Sequence, residues 1–318
     1  MTAAVQWQQQ GPGWHRVRVE LPPRPPGRGE VQLQQLAVAV RGADRLPPAG
    51  SDPVGLGGEA VGLVLAVGEA VAAFAPGDRV GYVVGVAPGA YAAVRTVPAW
   101  RCVPVPTDLP ATTVAAWLGR GLLAECLVRR VFKVGAGHRV LVVDADGRTG
   151  QILAPWLRHV GATVLGTFGD GAVGPGPRAC HHAIRGAAGH WPQAVLALTQ
   201  QRGVDVLLGA SPAAVAALLP LVRPRGTMVV RDVPAARSAH TAVPWSALTP
   251  GARCLTAPTL ADYATTTGEL RRAAELFFAL VRGGGLELPP PTVQPLAAAL
   301  GDDWLPRSAA APPVVLVP

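Results

Sequence analysis

Apolar and polar positions along the first hundred residues form short runs separated by turns, which predicts a β-rich region with strands near residues 14–21, 31–40, 60–67, 79–84 and 89–97. Proline-rich breaks at 22–26 and 47–53 are expected turns or loops, and Gly77-Asp78 is a strong turn signal, because glycine tolerates positive φ and aspartate bonds its own backbone. From Ala111 the spacing becomes helical, through Trp117, Leu122 and Leu127, and a linking helix is expected. Alternating units follow: a helix near 193–199, a strand at 204–208, a helix at 213–222, a strand at 227–230 and an amphipathic helix over 269–282 closed by Gly283 to Gly285. The tail PPVVLVP predicts a last strand that returns to the first domain.

The segment RVLVVDADGRTGQILAPWLRHVGATVLGTFGD, residues 139–170, carries the clearest unit. Val140 to Val143 form a continuous β-branched and leucine run, as a parallel strand buried on both faces requires. The turn DADGRTG leads into a helix over 151–159, with Ile152, Leu153, Trp156 and Leu157 on one face, and a strand over 162–167 follows. Such a strand, glycine turn and helix aims backbone N–H groups at a dinucleotide pyrophosphate. The candidate cofactor-binding residues are Gly147, Arg148, Thr149 and Gly150. Here Arg148 stands where a glycine is usual, and Asp144 and Asp146 bring negative charge toward the expected phosphates.

Length and composition allow two domains, each with its own core: 318 residues, 49% of them hydrophobic. The net charge of +8 rests almost wholly on arginine, since Lys133 is the only lysine, and the basic residues are scattered. With no basic and aromatic platform, nucleic acid is not an expected partner. Four separated cysteines, Cys102, Cys126, Cys180 and Cys254, suggest neither a disulfide framework nor structural zinc. Neither an export signal nor a run of about 18 apolar residues is evident, so a cytoplasmic protein without membrane contact is expected.

His181-His182 beside Cys180 does not predict a shared metal, because neighbours on an extended segment point to opposite faces. Asp44, Glu125 and Asp232 are candidate acids or bases, and Ser211, with no G-x-S-x-G context, reads as a turn residue.

Taken together, VGLGGEAVGLVLAVG from Val54, AFAPGDRVGY from Ala73, GAYAAVRTVPAW from Gly89, the VLVVDADGRTG turn, QRGVDVLL from Gln201, LVRPRGTMVV from Leu221 and PTLADYATTTGELRRAAELFFALVRGG from Pro258 resemble the zinc-free quinone oxidoreductase branch of the medium-chain dehydrogenase/reductase superfamily. The resemblance implies an α/β protein: a GroES-like β-rich substrate domain at 1–118, a Rossmann doubly wound parallel sheet at 119–261, and a C-terminal segment at 262–318 completing the first domain. It implies NADPH as cofactor, no zinc, a homodimer or a dimer with a paralogue, and a quinone, enone or pathway intermediate as the small-molecule substrate. Glu59 matches a glutamate of the zinc-dependent cousins, whose preceding histidine is Gly58 here.

The same resemblance locates site residues and their departures. Asp44 matches the branch, whereas Arg41 and Leu46 replace an asparagine and a tyrosine; Arg120-Gly121 replaces lysine-glycine, and Leu123 a threonine. Arg41, Asp44 and Arg120 are therefore the expected catalytic residues. Val173 and Gly186 replace a lysine and a tyrosine of the adenosine end, where Asp170 adds negative charge and Arg185 is the expected substitute phosphate ligand. Gly209-Ala210-Ser211-Pro212, Asp232 and Pro312-Pro313 replace an Asp-Ser-Val-Gly loop, a glycine and a Gly-Lys pair. These departures predict an eroded cofactor site. They leave two alternatives to reduction: cofactor-independent cyclisation, isomerisation or dehydration, and a non-catalytic binding subunit.

Overall fold

The computed structural model describes residues 2–10, 13–45, 53–83, 88–169, 179–186, 191–231, 243–301 and 311–318. The chain divides into two compact units: Met1–Leu122 with Ala264–Ala279 and Leu288–Pro318, and Leu123–Tyr263 with Leu280–Glu287.

The first unit opens on β1 (Thr2–Gln10), β2 (Gly13–Leu21), β3 (Glu30–Ala39), β4 (Val54–Gly55), β5 (Ala60–Val67), β6 (Arg79–Tyr82), β7 (Val94–Pro98) and β8 (Cys102–Pro104). β1 pairs with β2 along its whole length, an element the polar run QWQQQ conceals in the sequence. β3 shows why the central strands form: Val31 and Leu33 are buried while Gln32 and Gln34 face outward, the two-residue period of a sheet with one wet face. Gln35 is a buried polar residue on the inward face; its amide nitrogen donates to the Tyr82 hydroxyl at 2.6 Å, while its Oε1 is buried without a hydrogen-bond partner. The strand expected at 89–97 begins only at Val94, because Ala92 is held in a bridge to Ala4 instead. At the predicted turn, the Asp78 carboxylate accepts from Ala75 N–H at 2.8 Å, and Gly77 has φ +94°.

The linking helix α1 (Ala111–Cys126) follows and continues into a π-helical turn, Leu127–Val131. This apolar stretch, Ala111–Val131, is long enough to cross a membrane by composition, but 72% of its most apolar window is buried inside the protein.

The second unit contains β9 (Arg139–Val142), α2 (Gly150–His159), β10 (Thr163–Phe168), β11 (His182–Arg185), α3 (Trp191–Leu198), β12 (Val204–Ala210), β13 (Val222–Val230) and β14 (Cys254–Thr256). Its six strands are parallel, in the order β11-β10-β9-β12-β13-β14. Val140, Leu141 and Val142 are fully buried, as helices on both faces of a parallel sheet demand. The chain leaves β9 toward β11 and then returns to β12 on the other side of β9. The carboxyl ends of β9 and β12 therefore form the topological switch point, where open α/β sheets bind ligands. The helix expected over 213–222 is broken into a single α-turn, Val215–Leu218, between two 3₁₀ turns. Pro220 lacks the N–H a continuous helix needs, and Val222 already begins β13.

The amphipathic helix is α4 (Thr267–Arg282), followed by β15 (Thr292–Pro295) and β16 (Val314–Val317). β16 pairs antiparallel with β3, so the tail strand joins the sheet of the first unit as expected. Pro313 contributes its carbonyl to Thr292 N–H at 2.8 Å, extending that pairing.

Candidate functional site

In the first unit, three of the sequence candidates lie in one charged cluster. The 3₁₀ turn Gly42–Arg45 after β3 folds Asp44 back so that its carboxylate accepts from the Arg41 N–H at 2.8 Å. The Tyr91 hydroxyl donates to the same carboxylate oxygen at 2.9 Å. Arg41 Nη1 lies 2.9 Å from Glu59 Oε1, and the Glu59 side chain is buried. Arg120, on α1, is electrostatically coupled to both Glu59 and Arg41, and its Nη1 donates to Ala116 carbonyl at 3.0 Å. Gly119 permits this approach: a Cβ there would stand 2.6 Å from Glu59 Oε1. Arg41, Asp44 and Arg120 are thus brought together, through a carboxylate and a tyrosine that sequence reasoning did not assign to the site. Glu59 is an ion-pair anchor here, and a charged residue directly before the apolar run AVGLVLAV was the signal that it is buried.

Burial raises the Asp44 carboxyl above its ordinary value of 3.8, against the Arg41 N–H, the Tyr91 hydroxyl and the Arg41 charge, which lower it. Burial also raises Glu59 above its ordinary 4.5, opposed by Arg41 and Arg120. Burial, and then Asp44, push the Tyr91 hydroxyl well above its usual value, which keeps it a neutral donor. With both carboxyls raised, the native state binds more protons than the unfolded chain above those ordinary values. Their contribution to stability is complete below about pH 4 and is lost as pH rises through the folded values. Unfolding free energies measured from pH 4 to 8 should therefore decline less steeply for Glu59→Gln than for the natural chain; equal slopes would exclude this assignment.

In the second unit, Gly147, Arg148, Thr149 and Gly150 occupy the turn between β9 and α2, at the switch point. A Cβ on Gly150 would lie 2.5 Å from Ala145 Cα, so the helix starts in close contact with the preceding turn. No side chain caps α2 at Thr149. Asp144 adopts φ +52°, receives an ion pair from Arg231 just beyond β13, and its N–H donates to Thr167 Oγ1 at 3.0 Å. The negative charge expected to oppose phosphate at Asp144 is thus countered by a guanidinium 87 positions away, which no local pattern reveals. Arg185 closes β11, paired in register with Phe168 of β10, and so lies at the carboxyl edge of the same sheet. An uncapped helix start, a backbone cradle closed to a Cβ and a neutralised Asp144 together fit a pyrophosphate.

The remaining candidates have structural partners. Glu125 is buried, with Arg130 Nε at 2.9 Å. His181 Nδ1 accepts from Val164 N–H at 3.0 Å, a strand-like contact. Among the described residues no group of three or more His, Cys, Asp and Glu is gathered as metal ligands are. Leu46, Asp170, Val173 and Asp232 lie outside the described residues.

A profile of the alcohol dehydrogenase GroES-like domain matches residues 27–107. Over 300 residues, 89% of each chain, the sequence is 30% identical to 2-haloacrylate reductase of a Burkholderia species. The chain belongs to the zinc-free quinone oxidoreductase branch of the medium-chain dehydrogenase/reductase superfamily. A quinone oxidoreductase of Pseudomonas aeruginosa is 28% identical over 275 residues, 84% of each chain. The crystal structure of Escherichia coli quinone oxidoreductase complexed with NADPH superimposes with a TM-score of 0.86 at 26% identity, covering 99% of this chain and all of that one. A GroES-like domain together with a parallel sheet flanked by helices is the fold class read from the sequence of this branch member.

Proposed function

We propose that this quinone oxidoreductase relative is an NADPH-dependent reductase of quinones or of activated C=C bonds. The observation that carries the reading is the turn between β9 and α2, where Gly150 admits no side chain and Arg231 offsets the charge of Asp144. Gly147, Thr149 and Gly150 would hold the pyrophosphate by their backbone, with Arg148 adding a guanidinium and Arg185 as the candidate ligand of the 2′-phosphate. NADPH supplies a hydride; with one proton, this converts a quinone to a hydroquinone, or an enone C=C to CH–CH, and leaves NADP⁺.

The residues of the first unit then orient and polarise the acceptor. Asp44 and Glu59 fix Arg41 at its backbone N–H and at Nη1, so its orientation is set before an acceptor arrives. A fixed guanidinium facing an acceptor oxygen stabilises the negative charge that develops there on hydride addition. Arg120 adds positive charge from α1, and Tyr91 holds Asp44 without itself ionising.

Titration of the purified chain with NADPH and with NADH, followed by tryptophan fluorescence or calorimetry, tests this reading. Micromolar NADPH affinity and oxidation of NADPH by quinone or enone acceptors are expected. Absence of binding up to millimolar NADPH would overturn it.

A further inference from the structure

We propose that the Arg231–Asp144 ion pair is a gate on the cofactor crevice, in which Arg231 leaves the Asp144 carboxylate for the pyrophosphate of NADPH. The inference rests on the reductase reading and adds to it a phosphate ligand from outside the β9–α2 turn, held beforehand by a competing carboxylate.

Strand order sets the position of the pair. A doubly wound sheet binds the two halves of a dinucleotide on either side of the point where its strand order reverses. That seam lies between β9 and β12, with β10 and β11 on one side and β13 and β14 on the other. Asp144 follows the end of β9 by two residues, and Arg231 directly follows β13. Their ion pair therefore crosses the carboxyl end of β12 and bridges the seam. The backbone holds both ends: Val143 N–H donates to the Leu208 carbonyl at 2.9 Å, and Arg231 N–H to the Ala210 carbonyl at 2.9 Å. Gly209, between those two acceptors, has φ +95°, and a Cβ there would lie 3.8 Å from Arg231 Cδ. The arginine stem thus passes over a position that carries no side chain.

The energetics favour a hand-over. The two side chains are 39% and 53% exposed. An ion pair so open to water contributes no more than about fivefold to an equilibrium constant. A charge-assisted bond from arginine to phosphate is worth about 10- to 100-fold, and a pyrophosphate offers more negative charge than one carboxylate. Exchange is therefore favoured once a pyrophosphate stands at the start of α2. Asp144 keeps its backbone place throughout, because its N–H donates to Thr167 Oγ1 at 3.0 Å. The released carboxylate turns to the solvent that it already half faces.

The test is calorimetry of the full chain with NADPH at fixed ionic strength, on the natural protein, Asp144→Asn, Arg231→Gln and the double variant. Asparagine suits position 144 because it tolerates the left-handed backbone, φ +52°, that Asp144 adopts. Removing the competing carboxylate by Asp144→Asn should tighten NADPH binding by about fivefold. Arg231→Gln should weaken it by about sixfold in the natural chain and by about 30-fold in the Asp144→Asn background, where no ion pair has to be broken first. An arginine that only covered the charge of Asp144 would show the reverse order, with no effect of Arg231→Gln once Asp144 is neutral. That reverse order, or equal effects in the two backgrounds, would overturn the exchange and leave the reductase reading intact. NADH should lose affinity by the same factor as NADPH on Arg231→Gln; a loss confined to NADPH would assign the guanidinium to the 2′-phosphate and overturn the proposal. Inorganic pyrophosphate, titrated into the same four proteins, separates the two readings. The expected order of effects with pyrophosphate, without NADPH binding by any of the four, would support the gate and overturn the reductase reading. Binding of neither probe by any of them overturns both. Should Arg231→Gln not fold, Arg231→Lys, which keeps the charge and loses the fork, takes its place, again with the larger effect expected in the Asp144→Asn background.

Discussion

Replacing Gly150 by alanine is expected to destabilise the protein by about 3 kcal/mol and to weaken NADPH binding at least 100-fold. The added Cβ would stand 2.5 Å from Ala145 Cα and 2.7 Å from the carbonyl oxygens of both Ala145 and Asp144. All three are backbone atoms, so no side chain can rotate away; either α2 withdraws from the turn or the turn opens. Overpacking of this kind typically costs about 1 to 3 kcal/mol, and a rigid backbone neighbour places it at the upper end. The displaced helix start would also misalign the N–H groups proposed to meet the pyrophosphate, and a shift of that size removes geometry-dependent hydrogen bonds. Urea unfolding and NADPH titration measure the two effects separately. Unchanged NADPH affinity in the alanine variant would remove the cofactor from this turn.

Trp117→Ala should cost about 4 kcal/mol, read from the urea midpoint with an unchanged slope. The Trp117 side chain is fully buried, and its indole N–H donates to the Pro289 carbonyl at 2.9 Å. Truncation leaves a large cavity and an orphaned carbonyl, and buried Trp→Ala changes fall near 3 to 5 kcal/mol. Trp117→Phe, which keeps most of the volume and loses only the hydrogen bond, should cost about 1 to 2 kcal/mol. Because Trp117 sits just before Gly119 and Arg120 on α1, the alanine variant should also relax the helix segment that presents Arg120 to Glu59. A loss below about 1 kcal/mol for alanine would show that this indole does not anchor the helix.

Legibility differed between the two units for physical reasons. The βαβ unit was readable because each of its parts is local: an unbroken apolar strand, a glycine turn and a helix with Ile152, Leu153, Trp156 and Leu157 on one face, all within 30 or so residues. The tail strand was readable for the same reason, as was the turn at Gly77-Asp78. The helix predicted at 213–222 is instead a series of single turns, because Pro220 has no N–H to donate within it and Val222 already enters β13. β1 was missed because its glutamines mask a strand whose pairing partner, β2, supplies the order.

The candidate sites divide along the same line. Which residue types are present, Arg41, Asp44, Arg120 and the turn from Gly147 to Gly150, is a property of the sequence, and periodicity together with family resemblance locates them on their elements. What each charge faces is not local. Asp144 seemed hostile to phosphate until folding set Arg231 against it, and Glu59 looked like a remnant of another chemistry until folding buried it against Arg41. Chain order determined the strands, the turns and the inventory of charges, because propensity and hydrophobic period act over a few residues. Tertiary structure alone decided which charges neutralise one another and which stay exposed, because Coulomb energies and desolvation depend on distance and burial in the folded chain.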